Sequence, residues 1–124
     1  MAGTKICLSS DVVFDFLTGD ENTKQKIKMY STEDMCITSL TLFELRCAVE
    51  KQDVVSEFLN YVSVMDLDTS ASEAAARIIK EDLRHGNTRS TKSTLNAAMC
   101  IANNVLLFTK DRASFDGIRG LKLV

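Results

Sequence analysis

Four short apolar runs, spaced by stretches long enough to be helices, constrain this chain more than any single motif. Residues 5–8, 35–39, 61–67 and 105–108 read as strands, with 121–124 as a short last one. Between them, VVFDFL (12–17), 22–30, 41–51, 53–60, a segment from 70 to Gly86 and 93–104 read as helices. Strands that alternate with helices pair in parallel, because each crossover needs a dozen or so residues and the helix supplies them. The predicted fold is therefore α/β: three α/β/α layers around a mostly parallel central sheet.

Helical spacing is clear over 41–51, where Leu42, Leu45 and Val49 fall on one side, and Thr41-x-x-Glu44 fits a capping box. Ser70-Ala71-Ser72-Glu73 has the same form and opens a helix carrying Ala74, Arg77, Ile78 and Leu83. Residues 22–30 are polar with Ile27 and Met29 as apolar anchors, the mark of an exposed helix. Proline is absent, where average usage supplies roughly six in such a chain, so helix-breaking rings play no part.

At 124 residues, with 45% apolar and 26% charged side chains, the chain suits one globular domain spanning 1–124. Disorder, collagen-like repeats and disulfide scaffolds are excluded. The opening residues carry no signal-peptide pattern and the apolar runs are too short to span a bilayer, which predicts a cytoplasmic protein with no membrane partner. Cys7, Cys36, Cys47 and Cys100 show no metal-type spacing and read as buried thiols.

The net charge of −2 disfavours a simple polycationic nucleic-acid binder. Its distribution is uneven: residues 1–77 hold 7 basic and 13 acidic side chains (−6), and residues 78–124 hold 8 and 4 (+4). Such asymmetry suits an anionic partner near one face, or surface chance.

In parallel α/β folds the sites lie beyond the carboxyl ends of the strands. Asp11 and Asp15 follow the first strand, Glu44 the second, and Thr109 and Asp111 the fourth. Converging carboxylates suit Mg²⁺, a hard cation that prefers oxygen ligands. Local roles fit the same residues: Glu44 in a capping box, Asp11 as a helix N-cap, Asp111 as the cap of a turn before Phe115, and Asp15 facing solvent. His85, the only histidine, stands near a helix C-terminus where a cation is favoured. GxSxG, Walker, GxGxxG and HExxH patterns are all missing.

The runs KICLSSDVVFDFLTGD, ITSLTLFELRCAV, STLNAAMCIANN and LLFTKDRASFDGIRGLKLV resemble, in order, the blocks of a PIN domain, and more specifically of VapC-type toxins from toxin–antitoxin pairs. The resemblance covers nearly the whole chain. It implies a Mg²⁺- or Mn²⁺-dependent endoribonuclease acting on RNA, a homodimer, and a small antitoxin protein whose C-terminal segment blocks the site. Of the four places where that family gathers acids, Glu44 and Asp111 keep theirs, with Thr109 beside Asp111. The other two fall on Ser9 and Ser93, and a later acid falls on Ser114.

Serine is a neutral and much poorer ligand for a hard dication than a carboxylate. A charge pair about 4 Å apart at an effective dielectric near 20 is worth on the order of 4 kcal/mol. Two lost carboxylates, offset by relief of their mutual repulsion, predict metal occupancy lower by orders of magnitude. Asp11, two residues beyond Ser9, is the candidate substitute ligand. The alternative function is a nuclease-dead module that binds RNA or an antitoxin, with Arg84, Arg89, Lys92, Lys110 and Arg112 as phosphate contacts.

Overall fold

A computed structural model describes residues 5–31 and 34–124. The elements run β1 (Ile6–Leu8), α1 (Ser10–Leu17), α2 (Glu21–Lys28), β2 (Met35–Thr38), α3 (Ser39–Ala48), α4 (Gln52–Phe58), β3 (Ser63–Met65), α5 (Thr69–Arg84), α6 (Thr91–Asn103) and β4 (Leu106–Phe108). A 3₁₀ turn follows at Arg112–Phe115. The four strands form one parallel sheet in the order β3-β2-β1-β4.

Successive strand residues point to opposite faces, and each face has its own core. Cys7, Cys36, Met65 and Leu107 pack with the alanines of α5 and α6. Ile6, Leu8, Met35, Ile37 and Phe108 pack with Val12 and Val13 of α1, Ile27 of α2, Leu45 of α3 and Val55 and Phe58 of α4. The predicted three-layer α/β/α fold is thus the observed one. Small side chains bring α5 and α6 close to the sheet: Ala71, Ala74, Ala75, Ala97, Ala98 and Cys100 are all buried. Contact with the Cys100 and Cys36 thiols, together with burial, holds the Cys7 thiol well above the ordinary thiol range.

Both capping boxes are replaced by earlier caps. Thr38, the last residue of β2, accepts the Thr41 N–H at 3.1 Å, so α3 starts directly from the strand. Asp68 accepts the Ala71 N–H at 2.9 Å and opens α5 ahead of Ser70. A carboxylate is a stronger acceptor than a hydroxyl, which favours the earlier start. Asp20 and Ser90 cap α2 and α6, and Asn104 ends α6 in the left-handed region at φ 54°.

Other expectations need correction. Residues 121–124 make one bridge, Leu107 to Leu123, rather than a strand. Met29 is 79% exposed, and the buried partner of Ile27 on α2 is Thr23, whose hydroxyl bonds Asp20 at 2.7 Å. Leu83 is exposed on the outer side of α5, and Cys47 is exposed on α3. Among the described residues, no helix is long and apolar enough to cross a membrane.

Candidate functional site

Because all four strands run the same way, the residues that follow β1, β2 and β4 meet at one edge of the sheet. Ser9 leaves β1 with its N–H on the Phe108 carbonyl at 3.0 Å, which locks the exits of β1 and β4 together. The N-cap position of α1 is Ser9, not Asp11, and its side chain makes no capping bond. Its hydroxyl donates instead to Asp11. The Asp11 carboxylate also accepts the Val12 N–H and, across the edge, the Lys110 N–H, both at 2.9 Å. Asp11 therefore stitches two strand exits together, and both of its oxygens are engaged.

Asp15 does not merely face solvent. It pairs with the Lys110 ammonium, which lies 3.5 Å from Asp20 as well. The bond to Asp15 raises the Lys110 ammonium above its ordinary range, and the charge of Asp20 adds to the effect. The Thr23 hydroxyl, then the Thr23 N–H and Lys110, hold Asp20 below the usual carboxylate range.

On the other flank, Glu44 sits mid-helix in α3 and plays no capping role. One oxygen accepts the Lys92 ammonium at 2.8 Å; the other is buried without a hydrogen-bond partner among the described residues. Ser93, buried in the first turn of α6, shares a 2.9 Å hydroxyl contact with Ser90. Thr38 and Asn96 form a buried hydrogen bond joining β2 to α6. Neither residue stands out in sequence, although a polar pair on otherwise apolar faces is the signal that marks them. Buried Thr109 accepts the Asp111 N–H at 3.0 Å. Asp111 caps the 3₁₀ turn through Ser114, as its place before Phe115 suggested, with the Ser114 hydroxyl at 2.5 Å.

The acids thus divide between two flanks: Asp11 is held by the Ser9 hydroxyl and two backbone N–H groups, and Glu44 is paired with the Lys92 ammonium. Among the described residues no three His, Cys, Asp or Glu side chains form a group able to hold a metal ion. Hydroxyls stand at Ser9 and Ser93, and both Asp11 oxygens, both Asp111 oxygens and one Glu44 oxygen are already engaged, so this edge offers a hard dication few free carboxylate oxygens.

The basic side chains are differently placed. Arg84 pairs with Glu81 at 3.0 Å and is exposed; His85 pairs with the same acid at 3.2 Å. These partners, His85 first and Arg84 next, hold Glu81 below its ordinary range. Arg112 donates to the Val124 carbonyl at 2.7 Å. Arg89 is an internal brace and not an exposed phosphate contact. Its side chain is 8% exposed, grips Asp82 through two bonds of 3.0 Å, and donates to the Ser114 and Asp116 carbonyls at 2.9 Å. Asp82, an acid on the buried face of α5, went unmarked in sequence; its visible signal is its place four residues after Ile78.

No family model matches the chain. It is 25% identical over 118 residues to the tRNA(fMet)-specific endonuclease VapC of Salmonella typhimurium, covering 90% of this chain and 89% of that one. Its fold matches DNA-bound VapBC from Salmonella typhimurium with a TM-score of 0.88 at 24% identity, over 98% of each chain. A toxin–antitoxin complex from Klebsiella pneumoniae matches with a TM-score of 0.77 at 16% identity, over 94% of this chain and 95% of that one. Along nearly its whole length the chain is thus similar in sequence to a VapC endonuclease, and it shares the fold of the toxin–antitoxin proteins of known structure.

Proposed function

We propose that this chain is a cytoplasmic, single-domain VapC-like protein directed at RNA, whose phosphodiester-cleaving centre is depleted by Ser9 and Ser93. The observation that carries this reading is the Glu44–Lys92 ion pair beside Ser93: a retained acid is already paired with an exposed ammonium, and its neighbour in the family pattern brings no charge. An added dication must displace that ammonium from Glu44, and two serines supply no charge to help it do so. Dependence on Mg²⁺ or Mn²⁺ is what the family resemblance implies, and the donor set of this chain supports no step through such an ion.

What the chain's own residues supply is binding. Lys92 and Lys110 stand on the two flanks of the sheet edge, where an RNA phosphate that displaces a carboxylate partner finds a ready cation. Arg84 and Arg112 are exposed and add reach. Similarity to a tRNA(fMet)-specific endonuclease makes tRNA the RNA to try first. The toxin–antitoxin neighbour supports an antitoxin protein as the chain's partner, and we propose a homodimer as the working form.

The test is cleavage of an initiator tRNA transcript with Mg²⁺ or Mn²⁺, with and without EDTA, by the natural chain and by Ser9→Asp/Ser93→Asp. The expected result is retained, salt-sensitive RNA binding by both and EDTA-sensitive cleavage at least about 100-fold faster in the double variant, a barrier lower by about 2.7 kcal/mol. Robust EDTA-sensitive cleavage by the natural chain refutes the depleted centre.

A further inference from the structure

A pocket of about 190 Å³ opens between α5, from Ala74 to Arg84, and residues 117–119, and Ile101 in its wall lies roughly 12 Å along α6 from Ser93 by the rise per residue. Its floor is aliphatic: Ala74, Ile78 and Ile118, all buried, and half-buried Ile101. Its rim carries the exposed cations Arg77, Lys80 and Arg119. None of these three makes an ion pair among the described residues, although Arg119 is near enough to add to the lowering of Glu81; the two acids of the lining are paired, Glu81 with Arg84 and His85 and Asp82 with Arg89. Arg89 also ties α5 to the carbonyls of Ser114 and Asp116, so the segment leading to Gly117 and Ile118 is braced before any ligand arrives. Gly117 turns the chain at φ +75°, a conformation that favours glycine.

We infer that this pocket is a docking site for a peptide segment with one bulky apolar side chain flanked by acidic residues. The volume admits one large side chain, and the unmatched guanidinium groups suit carboxylates, which they bind through paired hydrogen bonds. A buried apolar anchor with a charged surround is the arrangement that concentrates binding energy at protein interfaces. RNA fits less well, because none of the described lining residues is aromatic and the pocket offers no ring on which a base would stack. The inference uses none of Ser9, Glu44, Ser93 and Asp111, and shares only Arg84 of the lining with the RNA contacts proposed above.

Random dodecapeptides displayed on phage, panned against the full chain and counter-selected on Arg77→Glu/Arg119→Glu, test it. The expected peptides carry Asp or Glu on both sides of one Leu, Ile, Met, Phe or Trp. A fluorescein-labelled copy of an enriched peptide then binds the natural chain at least about tenfold more tightly than the double variant or Lys80→Glu, and weakens with salt. Amide shifts on binding centre on Ile78, Ile101 and Ile118, and the spectra of the variants report that the fold is intact. Failure to enrich any peptide, enrichment of neutral or basic ones, or indifference to the charge reversals overturns the inference. So does tighter binding of a twelve-nucleotide single-stranded RNA with shifts at the same three residues.

Discussion

Replacing Arg89 by alanine should be among the most damaging single changes away from the apolar core. The guanidinium is 8% exposed and its partner Asp82 12% exposed by side chain, and it makes two bonds to that carboxylate and two to backbone carbonyls. Removing one partner of a buried pair typically costs about 3–5 kcal/mol, because the other charge is left without compensation. The lower end applies here, since water reaches the edge of the pair. Unfolding entropy of about 2.1 cal/mol/K per residue gives about 0.26 kcal/mol/K for a chain of this length. A loss of about 3 kcal/mol then lowers Tm by about 11 °C. Thermal unfolding followed by circular dichroism measures this directly. Asp82→Ala and the double variant complete a cycle in which the double loss falls short of the sum of the single losses by at least about 1 kcal/mol. A drop below about 3 °C for Arg89→Ala, or strict additivity in the cycle, refutes the view of Arg89 as an internal brace.

Two further outcomes follow from named contacts. Asp68→Ala removes the cap of α5 and should cost about 1 kcal/mol in chemical denaturation, while Ser70→Ala costs less, reversing the order that the Ser70-x-x-Glu73 pattern suggests. The Asp20 carboxyl is held below its ordinary value of 3.8, first by the Thr23 hydroxyl. A group whose folded pKa is depressed contributes stability above its unfolded value, and loses that contribution as pH falls through the folded one. The contribution of Asp20 is therefore full near neutrality and disappears only below about pH 4. Carboxyl NMR should place its midpoint below 3.8 in the natural chain and nearer 3.8 in Thr23→Val; an unchanged midpoint contradicts the assignment.

The architecture was legible because the strands are short, apolar and separated by helix-length segments. Positions 6–8, 35–38 and 106–108 are buried almost throughout, so composition marked them without help from periodicity. Caps were harder to read, because Asp68, Ser70, Thr38 and Thr41 all offer oxygens within one turn, and the choice depends on where the strand releases the chain. The tail at 121–124 is apolar enough for a strand but pairs at one residue only.

The site was half legible. Parallel strands put the positions that follow them at one edge, yet the pairings that define their charge are remote in sequence. Lys92 and Glu44 are 48 residues apart, and Lys110 and Asp15 are 95 apart. Arg89 illustrates the same limit: one of five basic residues in the C-terminal half that looked alike in sequence, it is drawn inward because Asp82 faces the interior of α5.

The central claim is that Ser9 and Ser93 leave the sheet edge short of charge, with Glu44 matched by Lys92. Calorimetric titration of Mn²⁺ into the natural chain and into Ser9→Asp/Ser93→Asp, at equal ionic strength, addresses it most directly. The account predicts affinity at least about 100-fold higher in the double variant, about 2.8 kcal/mol at 1.4 kcal/mol per tenfold. Equal affinity in the two chains contradicts it.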